Sequence, residues 1–124
     1  MIIASLRASA TLFTSPAPAQ PCCCYMAFHP LALTGPQLTA HFRCYTFDFL
    51  GFGLSAKPQK HHYSIFDQAD RVEALLRAEG VEHYHILAHD IGDTVAQELL
   101  ARQLDGSGHG VIDRVCLLNG GLFP

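Results

Sequence analysis

The sequence predicts an α/β domain, a parallel sheet with flanking helices, and three observations carry that prediction. Apolar, β-favouring runs alternate with helical periodicity in the order strand, helix, strand, helix, strand. The connections between them are short, as they are in βαβ units. Glycine-rich turns stand where strands should end, and a parallel sheet places its chemistry in the crevice at the carboxyl ends of its strands. With 124 residues, 49% of them apolar and 15% charged, the chain has material for one core and too little for two ordinary domains.

The elements follow in order. A Ser/Ala/Pro-rich lead gives way to patterned sequence near position 25, so the chain divides into a divergent or disordered segment, 1–28, and a core, 29–124. "LTGPQLTAHF" has Leu38 and Phe42 four apart and Pro36 at a permitted first-turn position, which predicts a short helix. "RCYTFDFLG" then reads as a buried strand running to Gly51. Ser64 followed by Asp67 has the spacing of a capping box, and Ile65, Ala69, Val72 and Leu76 form an apolar stripe that should end at Gly80. "VEHYHILAH" reads as the next strand, and "DTVAQELLARQL" as a helix with Val95, Ala96, Leu99 and Leu100 inward. "VIDRVCLLN" is the last strand.

Composition removes several function classes. The net charge is -3 and the eight Lys and Arg residues are scattered singly, so no positive field exists for nucleic acid. No stretch approaches the roughly 18 apolar residues of a membrane span. Five cysteines, three of them consecutive at 22–24, match neither an even disulfide framework nor a spaced zinc site, and favour a reducing, cytoplasmic setting. The opening "MIIASLRASATLFTSPAPAQ" also admits a targeting segment, although Arg7 splits its apolar run. His61 and His62 lack a third ligand nearby in sequence and read as solvated, Cys44 and Cys116 as small apolar strand residues, and Asp48 as the maker of a local turn bond. No metal and no cofactor is expected, and the residues carry no signal for an oligomeric state.

Two motifs compete for the glycines. Gly51 to Ala56 fits GxGxxA, the dinucleotide fingerprint, in which backbone N–H groups at a helix start hold a pyrophosphate. That helix must open at once, yet Lys57-Pro58 follows and the next good cap is Ser64. A glycine turn leaving a strand is the better reading, with a dinucleotide-binding βαβ module as the alternative. The other motif is Ala88-His89-Asp90-Ile91-Gly92, small residues two before and two after a carboxylate, at a junction of strand and helix. A nucleophile elbow needs that spacing because the backbone crowds itself in the turn. A carboxylate there can attack an sp³ carbon to form an ester, whose oxyanion on hydrolysis is held by backbone N–H groups, one of them from Ile91. The plainer alternative is that Asp90 or Asp93 caps the helix. His89 points to the opposite face of an extended strand and is expected to pack behind the turn.

"FDFLGFGLSAKP", "HHYSIFDQADRVEALLRAEGV", "AHDIGDTVAQELL" and "LLNGGLFP" resemble, in order and spacing, the α/β-hydrolase superfamily, in the branch with aspartate nucleophiles that includes epoxide hydrolases and haloalkane dehalogenases. The resemblance covers residues 29–124. It implies that Asp90 is the nucleophile, that the loop 48–58 follows the fourth strand of the fold, and that 111–119 is the sixth. It also implies a small-molecule substrate, a mainly apolar epoxide or ester-like electrophile. Ile91 stands where dehalogenases carry a halide-binding Trp, and it has no side-chain donor, which disfavours a halide. Asp93 either raises the proton affinity of Asp90 or caps the helix, and the cap is preferred. The family's His-Gly oxyanion loop, second acid and catalytic His have no counterpart here, so an incomplete hydrolase core is expected, and a non-catalytic product of the same fold is the alternative.

Overall fold

The computed structural model describes residues 22–26, 38, 40–53 and 55–120. Four strands and two longer helices make up the fold: β1 (Cys22–Met26), β2 (Arg43–Thr46), α1 (Ile65–Ala78), β3 (His83–His89), α2 (Ile91–Asp105) and β4 (Val111–Leu118). The strands form one parallel sheet in the order β2-β1-β3-β4. Parallel neighbours require crossovers, and α1 and α2 supply two of them.

Both helices bury their apolar stripes in a single cluster. Ala69, Val72, Leu75 and Leu76 of α1 and Val95, Ala96 and Leu99 of α2 meet Tyr45, Tyr84, Ile86 and Ala88 of the sheet. These sheet residues occupy alternate positions, so they share one face, and the opposite positions of β3, His85, Leu87 and His89, are half-buried. Leu100 packs against the cluster from its margin. Arg102 ties the two helices together, with its guanidinium 2.6 Å from Asp70 and 3.1 Å from Glu73 on α1 and 2.7 Å from Glu98 on its own helix. Burial opposes the Arg102 charge, but the hydrogen bonds to Glu98, Asp70 and Glu73 more than offset it and hold the guanidinium above its ordinary range.

Two expectations require correction. Cys22–Met26, assigned from the sequence to a lead outside the core, is a strand paired on both sides, in register with Arg43 to Thr46 and with Tyr84 to Ala88. The sheet therefore begins before residue 29. A central parallel strand reads as a plain apolar run without alternation, so five residues after an Ala/Pro-rich stretch carried no periodic signal. The strand expected to reach Gly51 stops instead at Thr46, where its last registered partner, Tyr25, is reached. Phe47 and Phe49 stay buried without ladder bonds, packed edge to face at 5.8 Å. The short helix expected from Pro36 lies largely outside the described residues. Leu38 is helical, and its carbonyl accepts from the N–H groups of His41 and Phe42.

The remaining boundaries hold closely. Ser64 accepts the N–H of Asp67 at 3.1 Å, which is half of the expected capping box, and Gly80 follows α1 at φ +67°. Gly106 closes α2 in the left-handed conformation at φ 78°. No helix among the described residues is long and apolar enough to cross a membrane.

Candidate active site

The carboxyl ends of the strands gather three segments: the loop after β2, the turn from β3 into α2, and the residues that leave β4. Asp90 occupies the turn, at φ 57° and ψ −124°. Such a backbone is uncommon for any residue with a Cβ and costs about 1–3 kcal/mol, so surrounding structure must hold it there. Ala88 is fully buried and Gly92 is buried, which explains why small residues flank the bend. Asp90 itself is exposed.

Asp90 stands at the N-cap of α2 yet makes no side-chain cap hydrogen bond. Asp93 does not cap either, which corrects the expectation placed on it. It is 3% exposed, and its carboxylate accepts the Leu118 N–H at 3.4 Å, tying α2 to the end of β4. A Cβ on Gly120 would collide with the same carboxylate. The Asp90 N–H completes the junction by donating to the Leu118 carbonyl at 3.2 Å. The bend is thus fixed from both sides, and its carboxylate is left to solvent.

The loop after β2 forms the facing wall. Gly51 and Gly53 have φ +91° and +50°, and a Cβ on Gly51 would lie 2.7 Å from Cε1 of Tyr63. Ser55 donates to the Asp48 carbonyl at 2.6 Å, so the turn bond expected of Asp48 runs through its backbone oxygen. The helix that a dinucleotide site would need immediately after these glycines does not start until Ile65, which overturns that alternative.

Gln68 was not foreseen as a site-building residue. It is 3% exposed, its amide donates to the Leu50 carbonyl at 2.9 Å, and it accepts the Leu50 N–H at 3.0 Å. This paired bond pins the loop to α1 across 18 residues of chain. The available signal was a polar residue set between Ile65 and Ala69 on the inward stripe. Between loop and turn lies an apolar cleft of about 390 Å³ lined by Gly51, Phe52, Tyr63, Ile65, Gln68 and Ile91 among others. Asp90 is not part of that lining, and Ile91 is what joins the cleft to the turn. The N–H of Ile91 belongs to the first turn of α2, whose N–H groups have no partner within the helix.

Other candidates resolve simply. His61, expected to be solvated, bonds Asp67 at 2.9 Å, and Arg71 shares that carboxylate at 3.0 Å. Burial works against the Asp67 charge, but the bonds from Arg71 and His61 prevail and hold its carboxyl below the ordinary carboxylate range. His89 is half-buried on the face opposite Ala88. Cys44 is buried as expected, whereas Cys116 is exposed because the outer face of β4 carries no cover among the described residues. Among the described residues no cluster of three or more His, Cys, Asp or Glu side chains has the arrangement of a metal site.

Comparison with known proteins matches this architecture. The chain is 55% identical over 93 residues to the mesoderm-specific transcript homolog protein of Bos taurus, an alignment covering 73% of this chain and 28% of that protein. The chain therefore spans little more than a quarter of that relative's length. The fold superimposes on a haloalkane dehalogenase from Bradyrhizobium elkani with TM-score 0.70 at 24% identity, covering 84% of this chain and 35% of the other, a likeness of fold alone. It also superimposes on a bacterial membrane phospholipase A with TM-score 0.71 at 27% identity, covering 87% and 35%. The family model described as alpha/beta hydrolase fold matches residues 25–120, from near the end of the first strand to just past the last, and by that match the chain belongs to the α/β-hydrolase family.

Proposed function

We propose that the chain carries the nucleophile of a hydrolase that opens a small, mainly apolar electrophile, an epoxide or ester-like compound, through an ester on Asp90. The observation that supports this most is the strained turn that withholds Asp90 from capping its own helix. A carboxylate kept for stability would bond the first-turn N–H groups, as Ser64 does for α1, and would not occupy φ 57°.

In the proposed reaction a carboxylate oxygen of Asp90 attacks an sp³ carbon while the carbon–oxygen bond of the electrophile breaks. The released oxygen keeps the electron pair and takes a proton from water. When water later attacks the ester, the Ile91 N–H donates to the oxyanion formed at the Asp90 carbonyl. The apolar cleft beside Ile91 supports the choice of an apolar substrate body. Incubation of the folded chain with a panel of epoxides, followed by peptide mass spectrometry, tests the proposal. One epoxide mass on Asp90, absent from Asp90→Asn, is the expected result. A folded, unlabelled wild type would favour a non-catalytic role for the fold.

A further inference from the structure

Among the described residues only two that are not glycine adopt positive φ: Asp90 at 57° and Asn119 at 54°. The five others with positive φ, at 51, 53, 80, 106 and 110, are all glycine, the residue that takes this conformation without steric cost. The two exceptions are neighbours. β3 and β4 are parallel, and their last registered pair is His89 with Leu118, so Asp90 and Asn119 each stand one residue beyond it. Adjacent strands lie about 4.8 Å apart. The same junction fixes both, through the Asp90 N–H on the Leu118 carbonyl and the Asp93 carboxylate on the Leu118 N–H.

Glycine follows directly at position 120, where any Cβ would strike Asp93, so the chain passes close to the Asp90 turn as it leaves β4. Asn119 and Asp90 are both exposed, each one residue past the end of its own strand. Backbone strain that keeps a polar side chain at a strand end is the kind of strain found at ligand sites.

We infer that Asn119 is a second substrate-contacting group of the Asp90 site, donating a side-chain N–H to the oxygen released as the electrophile opens. The inference rests on the reading of Asp90 as nucleophile. The new bond joins Asp90 to carbon, the carbon–oxygen bond breaks, and the freed oxygen is protonated by water, leaving hydroxide to the buffer. Asn119 transfers no proton. It stabilises the negative charge that grows on that oxygen.

A conformational role and a chemical role predict opposite results for Asn119→Gly. Glycine relieves positive φ, so the urea midpoint of the full chain should stay equal or rise. With an aryl epoxide as probe, the maximal rate of labelling at Asp90 should fall roughly a hundredfold, the scale set by loss of one such donor. The half-saturating epoxide concentration should change far less. Asn119→Asp keeps the shape and tolerates positive φ but lacks the donor, so it should show the same loss, and it carries the test if the glycine variant fails to fold. Labelling of either folded variant at the wild-type rate overturns the role of Asn119 and leaves Asp90 standing. No labelling of the folded wild type overturns both.

Discussion

The two helices of this chain begin in opposite ways. α1 starts from Ser64 at φ −141° and ψ 158°, an ordinary extended residue whose hydroxyl accepts the Asp67 N–H. α2 starts from Asp90 at φ 57° and ψ −124°, with no side-chain bond to the helix. Asp is at least as good a cap as Ser by intrinsic preference, so the difference is not one of residue type. At Ser64 the side chain serves the helix. At Asp90 it does not, since Ala88, Gly92, Leu118 and Asp93 hold a bend that leaves the carboxylate exposed.

That contrast is broken most directly by chemistry. Asp90→Asn should abolish epoxide labelling while leaving the unfolding midpoint within about 0.5 kcal/mol of wild type, because an exposed side chain that caps nothing is changed. A large destabilisation in urea titration would show that Asp90 does structural work after all. Next in size is Arg102→Met, which should cost about 2 kcal/mol by leaving Glu73 and Glu98 without their shared cation, with the middle of α1 and the last turns of α2 loosening together in hydrogen exchange. Asp90→Gly and Ser64→Ala should then move stability in opposite directions, the first raising it by about 1 kcal/mol as strain is relieved and the second lowering it by about 1 kcal/mol as a cap is lost. Paired urea midpoints measure this, and equal signs would erase the distinction between the two termini.

The smallest effect concerns pH. Asp67 has its folded pKa depressed, chiefly by Arg71 and His61 acting against burial. Its contribution to stability is fully present above the unfolded value near 4 and is lost as pH falls through the lower folded value. Asp67→Asn should therefore flatten the fall in stability below about pH 4 and leave labelling at Asp90 unchanged. Urea midpoints collected across that range check it.

Much of the scaffold was legible from residue patterns because the relevant forces are local. The stripe at Ile65, Ala69, Val72 and Leu76, the Ser64 cap and the Gly80 stop act within a turn or two of the chain. The small-x-Asp-x-Gly spacing was legible for the same reason, since the crowding it relieves lies within five residues. What escaped was set by distant partners. β1 is a strand because β2 and β3 pair with it, and β2 ends at Thr46 because its pairing with β1 ends there. Gln68 takes its role from Leu50, which lies opposite it only in the folded chain. Asp93 looked like a cap, and Cys116 like a core residue, until the position of β4 was known.

By itself the sequence determined the kind of fold and the location of a crowded bend around a carboxylate, since periodicity and steric spacing are properties of neighbouring residues. Only the tertiary structure decided whether that carboxylate was spent on its own helix, because the answer depends on the bonds that Asp90 and Asp93 make to Leu118 at the end of β4, far along the chain. It was likewise the assembled sheet, not any run of residues, that set Asn119 beside Asp90, for two strand ends become neighbours only when their ladder forms.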